Sequence, residues 1–134
     1  GPRQRPDLAI HKFASLISAG KSIPVFGDGS TARDYTYVTD TVDGILACTR
    51  KNFGFEIFNL GESQTVTLSR LIELLEKSLG RKAILDRQPP QPGDVPITFA
   101  DVSKARAMLG YNPTVKIDEG VPRFVEWFLK ERAA

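Results

Sequence analysis

Cysteine and histidine are all but absent: Cys48 and His11 are the only ones in 134 residues. That excludes an intramolecular disulfide, the usual Cys/His zinc sites and a Cys/His dyad built on tandem motifs, and it suits a reducing cytoplasm. Long hydrophobic runs are missing as well. No stretch approaches the roughly 20 apolar residues of a membrane helix, and no signal-peptide pattern opens the sequence, so the expectation is a cytoplasmic protein without a membrane partner. Nor is one sign of charge in excess. Eighteen Lys and Arg against sixteen Asp and Glu leave a net charge of +2, scattered along the chain, which argues against nucleic acid. Basic local sites are still present, notably Arg3, Arg5 and Lys12.

Catalytic sets are missing too. No Tyr is followed four residues later by Lys, no G-x-S-x-G elbow occurs, and a Ser-His-Asp triad could use only His11. His11 beside Lys12 reads as a surface residue on a helix, and Cys48 as a small buried hydrophobe on another. Glu73 and Glu76 read as solvated helix charges. No catalytic residue and no metal ligand is assigned.

What is present is an alternation of helices and short strands without repeats, of a length that suits a single α/β domain. Asp7 and Gly20 bracket a first helix carrying Leu8, Phe13, Leu16 and Ile17. Ile23 to Phe26 reads as a short strand, and Ala32 to Val38 as another, rich in Tyr and Thr. Thr39 is placed to cap a helix from Asp40 to about Arg50, with Val42, Ile45, Leu46 and Thr49 at helical spacing. Phe55 to Leu60 is apolar enough for a buried strand, ended by Gly61. Thr67 caps the clearest helix, where Leu68, Leu71, Ile72, Leu75 and Leu79 form a stripe closed by Gly80. Ala83 to Asp86 is a strand, Pro89 to Asp94 a rigid loop and Ile97 to Ala100 extended. Asp101 caps a short helix to Leu109. Asp118 caps the last, whose Val121, Phe124, Val125, Phe128 and Leu129 face inward.

One stretch imitates a cofactor site. In Val25-Phe-Gly-Asp-Gly-Ser-Thr-Ala-Arg-Asp-Tyr35, Gly27, Gly29 and Ala32 fit G-x-G-x-x-[GA], whose amides cradle a dinucleotide pyrophosphate at a helix N-terminus. The residues after it, Arg-Asp-Tyr-Thr-Tyr-Val, form strand rather than helix, so the cradle has no helix to complete it. Asp28-Gly29 reads instead as a hairpin turn between two extended segments. Beside that turn stands Arg33, and at the end of the proline-stiffened loop stands Asp94. A guanidinium fork suits a diphosphate, and a carboxylate accepts from the vicinal hydroxyls of a ribose. From the residues alone, Arg33 reads rather as a surface ion pair with Asp34 or Asp28, and Asp94 as readily as the cap of its own turn.

Four stretches in order carry a resemblance: Gly1-Pro-Arg-Gln-Arg-Pro-Asp7; Val25-Phe-Gly-Asp-Gly followed by Arg33-Asp-Tyr35; Phe58-Asn-Leu-Gly61; and Pro92-Gly-Asp94 with Asp101-x-Ser-Lys-Ala and Leu109-Gly-Tyr. Together they resemble the C-terminal part of extended short-chain dehydrogenase/reductases acting on nucleotide sugars, in the branch of UDP-glucuronate and UDP-glucose 4-epimerases. The resemblance implies a small mixed α/β domain of short strands and about five helices, forming the C-terminal portion of a Rossmann-type enzyme. It implies that the backbone of Pro24, Val25 and Phe26 lies against uracil, that Arg33 holds the diphosphate and that Asp94 takes the ribose hydroxyls. Arg5 and Lys12, one helical turn beyond Leu8, fall near the sugar, where a basic pair suits a uronate carboxylate. Gln91 departs from the pattern, since related epimerases often carry arginine there as a second diphosphate contact.

The family's G-x-x-G-x-x-G loop for NAD, its Tyr-x-x-x-Lys and its active-site Ser/Thr do not occur here. The resemblance therefore implies a UDP-sugar-binding half, inactive alone and without a cofactor of its own, whose parent enzyme uses NAD in an N-terminal Rossmann domain absent from this chain. It also implies that the helix from Asp40 and the strand from Phe55 expose apolar surface and that the isolated chain self-associates. The parent is alternatively a 4,6-dehydratase or a uronate decarboxylase, since nucleotide-holding residues do not report on the chemistry. From a different class, the chain could be a free-standing, noncatalytic nucleotide-sugar-binding or interaction module.

Overall fold

The computed structural model describes residues 1–133. Five helices, α1 (Ala9–Ser18), α2 (Val38–Thr49), α3 (Leu68–Leu79), α4 (Ser103–Leu109) and α5 (Ile117–Ala133), alternate with five strands, β1 (Ser22–Phe26), β2 (Ala32–Asp34), β3 (Thr65–Thr67), β4 (Ile84–Gln88) and β5 (Ile97–Thr98). The fold is the mixed α/β class expected. Its strands divide into two sheets. β1 and β4 run parallel with Ser22 opposite Ile84, while β2 sits between antiparallel β3 and parallel β5, with Ala32 opposite both Thr67 and Ile97.

The main core forms where α1, α3 and α5 lay their apolar stripes on β1. Phe13, Ala14 and Ile17 meet Leu71, Ile72 and Leu75, and these meet Val121, Phe124, Val125 and Phe128. Strand periodicity then sorts β1: Ile23 and Val25 point into this core, and Pro24 and Phe26 point to the other face. A second, smaller cluster gathers Val102, Ala105 and Tyr111 with Phe58 and Leu60 against them.

Two carboxylates that the sequence reading did not single out tie these parts together. Asp34 accepts from the amides of Glu62 (3.0 Å), Ser63 (3.0 Å) and Ala100 (3.1 Å), joining the end of β2 to two distant segments. Asp40, buried in the first turn of α2, accepts from the amides of Thr114 (3.1 Å) and Val115 (3.0 Å). Carboxylates withdrawn from solvent, Asp40 fully and Asp34 in part, and satisfied by backbone donors act as fixed joints.

Several local expectations are corrected. Phe55 to Leu60 pairs with no strand: Phe55 is 82% exposed and Ile57 68%, and only Phe58 and Leu60 find partners, in the second cluster. A buried strand needs neighbours on both sides, and the described residues provide none there. The strand expected over 32–38 ends at Asp34, because Asp34 turns its carboxylate to other segments and α2 begins at Val38. Consequently Thr39 lies inside α2, which has Tyr37 at its N-cap position without a side-chain cap. Asp7 is paired with Arg5, leaving Leu8 as the uncapped N-cap of α1, and Asp118 lies in the first turn of α5. Asp101 precedes the N-cap Val102, yet still accepts from Ser103 N–H at 2.9 Å. Leu129 is exposed on α5 rather than facing inward. Thr67 does cap α3, accepting from Arg70 N–H at 3.2 Å.

His11 is half-buried rather than free on the surface. Its Nδ1 lies 2.8 Å from the carbonyl of Gln4, which can only accept, so Nδ1 carries the proton, and its ring meets Phe124, Trp127 and Phe128 edge-on. Glu76 is not merely solvated either: it pairs with Lys82 and accepts from Ala83 N–H (2.9 Å), which holds its carboxyl below its ordinary range. Cys48 is half-buried on α2.

Candidate functional site

The turn at Gly27 to Thr31 connects strands of different sheets, so the expected hairpin pairing of β1 with β2 does not form. The turn closes the N-terminus of α3 instead. The carbonyl of Thr31 accepts from Leu68 N–H at 2.9 Å, and that of Gly29 accepts from both the amide and the hydroxyl of Ser69 at 3.1 Å. Gly29 has φ +88°, and a Cβ there would stand 2.4 Å from Ser69 Oγ, so the close approach that requires glycine is to this helix. Residues 27–32 thus do not fit a dinucleotide: they run directly into strand β2, and the α3 amides nearest to them are already bonded.

β2 and β5 bring the two ends of the candidate site together across 61 residues of sequence. Ala32 N–H donates to the carbonyl of Pro96 (2.8 Å), anchoring the proline-rich loop beside Arg33. Arg33 Nη1 donates to the carbonyl of Ala32 (2.8 Å), and Nη2 reaches Asp94 Oδ1 at 2.5 Å. Arg33 is therefore ion-paired, but with Asp94 and with neither Asp28 nor Asp34, whose carboxylates take backbone amides. The hydroxyl of Ser30, and then its amide, hold the Asp28 carboxyl below its ordinary range.

Around this pair lies a groove of about 260 Å³. Lys12 and Phe13 from α1, Pro24 and Phe26 from β1, and Arg33 with Asp94 line it, together with Asp7, Thr31, Tyr35 and Leu68. Of the residues singled out from the sequence, it collects Lys12, Pro24, Phe26, Arg33 and Asp94. Four others lie elsewhere. Val25 is buried in the core, Leu8 is half-exposed outside the lining, Arg5 is engaged with Asp7 on the surface, and Gln91 lines an adjoining groove that shares Phe26, Thr31 and Asp94. Tyr35 was missed, although its spacing from Arg33 gave the signal: residues two apart in extended chain share a face. Burial raises the Tyr35 phenol above its ordinary range, opposed by the positive charge of Arg33.

A permanently charged fork, a carboxylate, an exposed lysine and apolar walls in one groove suit a ligand with an anionic middle, a hydroxylated part and a flat apolar end. Comparison with known proteins bears on what kind. The family model described as GDP-mannose 4,6 dehydratase matches residues 1–124.

The chain belongs to that family.

Members of this nucleotide-sugar epimerase/dehydratase group recur among its relatives. A UDP-glucuronate 4-epimerase of Thermodesulfobacterium geofontis is 41% identical over 128 residues, covering 95% of this chain and 39% of its own length. The crystal structure of UDP-glucuronic acid 4-epimerase from Bacillus cereus in complex with UDP-glucuronic acid and NAD superposes with a TM-score of 0.90 at 33% identity, over 98% of this chain and 42% of that one. A dTDP-glucose 4,6-dehydratase from Streptomyces venezuelae superposes with a TM-score of 0.91 at 28% identity, over 99% and 42%. The chain corresponds to the C-terminal part of these extended short-chain dehydrogenase/reductases. It spans about 40% of the length of the curated relatives it matches.

Proposed function

We propose that this chain is the nucleotide-sugar-binding half of an NAD-dependent UDP-sugar 4-epimerase. The observation that carries the reading is the convergence of Arg33 and Asp94, from opposite ends of the chain's middle, on a groove walled by Pro24 and Phe26. Arg33 holds the diphosphate, Asp94 accepts the ribose hydroxyls, and the β1 face carries the uracil. Lys12, which has no ion-pair partner among the described residues, faces a uronate carboxylate; Arg5, engaged with Asp7, is not beside it in the groove. The relatives' UDP-glucuronate epimerase activity supports this sugar class. The half contributes anchoring energy from the nucleotide, which keeps the substrate bound while the 4-keto sugar turns over between removal of hydride from C4 and its return to the other face.

The dinucleotide-binding half belongs, on this proposal, to the parent protein and docks on α2 and the 55–57 segment, whose apolar side chains are open to solvent. A dehydratase parent is the second reading, favoured by the dehydratase that superposes equally well. Calorimetry with UDP and UDP-glucuronate tests the site. UDP binding is expected in the unaltered chain and its loss to below detection in Arg33→Ala. Equal binding by both proteins would refute the assignment of Arg33.

A further inference from the structure

Arg33 is held on one side and shared on the other. Nη1 is fixed to the backbone of its own strand through the Ala32 carbonyl, while Nη2 is given to Asp94, so the guanidinium is oriented before any ligand arrives. Asp94 comes from a loop that can yield little. Pro89, Pro90, Pro92 and Pro96 stiffen it, Asp94 N–H closes a turn onto the Gln91 carbonyl (3.2 Å), and Pro96 is bonded to β2. The pair is about one-third exposed, 29% and 40% for the two side chains, so water and ligand can both reach it.

We propose that the Arg33–Asp94 ion pair makes the groove select a nucleoside diphosphate over either of its halves, because a ligand must replace both partners of the pair. The inference rests on the reading of the groove given above. A ligand with phosphate alone takes the Nη2 edge of Arg33 and leaves Asp94 a carboxylate without its cation. A ligand with ribose alone engages Asp94 and leaves Arg33 without its anion. Only a ligand carrying the two groups side by side returns a partner to each. The pair thus subtracts from the affinity of each fragment and spares the whole, which gives discrimination against the abundant pyrophosphate and nucleosides. Since the pair is partly exposed, its opposition to a fragment amounts to a factor of about two to five rather than orders of magnitude.

The test is calorimetry of UDP, pyrophosphate and uridine with the full chain and two variants, Asp94→Asn and Arg33→Gln, both outside the apolar core. The expected pattern is reciprocal. Asp94→Asn binds pyrophosphate about two- to fivefold more tightly and UDP at least about tenfold more weakly, as a charge-assisted hydrogen bond is lost. Arg33→Gln binds uridine more tightly by the same modest factor and UDP more weakly. If UDP binds the unaltered chain but Asp94→Asn leaves pyrophosphate affinity unchanged or lower, the selection device is refuted and the site reading stands. If UDP does not bind the unaltered chain at all, the site reading itself fails and takes the inference with it.

Discussion

Tyr111 shows how much one side chain can report. It is buried between α4 and the 60–62 segment, and its hydroxyl donates to the Gly61 carbonyl at 3.1 Å. Burial, reinforced by the carboxylates of Asp40, Glu62 and Asp34, pushes its phenol up to about 12 from an ordinary value of 10.0. The folded state therefore favours the protonated form, and the associated stability is fully present below pH 10 and lost as pH rises through 12. The thermal midpoint is expected to fall between these values, and to fall less steeply in Tyr111→Phe, as circular dichroism melts across the range would measure. Equal slopes in the two proteins would show that other groups govern alkaline unfolding. The same residue-scale logic separates Arg33 from ordinary surface arginines: its strand fixes one edge of the fork, and only the other is free to exchange partners.

At the scale of elements, the groove depends on joints rather than on long strands. β2 has three residues and β5 two, too few to hold their positions by ladder bonds alone. Asp34 supplies the missing constraint by gathering the 62–63 and 100 amides, and the φ of +58° at Ser63 is tolerated because its amide is one of them. Gly61 is what lets these segments close. A Cβ there would lie 2.5 Å from Ala100 Cβ and 2.8 Å from Asp34 Oδ2, neither of which can withdraw without breaking the joint. Gly61→Ala is expected to cost about 1–3 kcal/mol in urea unfolding and to weaken UDP binding through displacement of β2. A variant as stable as the original would show that the joint yields more readily than its geometry implies.

For the whole molecule, the distribution of apolar surface is the informative feature. The core under α1, α3 and α5 is closed, whereas α2 leaves Val42, Ile45 and Leu46 each more than two-fifths exposed, and the 55–57 segment leaves Phe55 and Ile57 open. Exposed apolar surface of this extent marks an interaction site, and it is the surface that the proposed dinucleotide-binding half covers. We expect the isolated chain to self-associate in sedimentation velocity as concentration rises, and Ile45→Glu to shift it toward monomer. A monodisperse monomer at high concentration would count against that proposal.

The sequence by itself determined the helices and the main core. The stripe from Leu68 to Leu79 and the Phe124–Phe128 face obey a 3.6-residue period that needs no distant partner to be read, and the Thr67 cap and Gly80 stop are equally local. It also drew attention to Arg33 beside a turn and Asp94 ending a proline loop, although their ligand roles came from the family resemblance and not from their placement. Only the tertiary structure decided that these two meet. Parallel pairing of β2 with β5 brings them within 2.5 Å, and strand pairing is a choice of partner that no local pattern records. The same reason undid the strand expected at Phe55 to Leu60 and the hairpin at Asp28-Gly29. Extended, apolar chain becomes strand only where another strand satisfies its backbone, and the described residues bring none to the first and send the two arms of the second to different sheets.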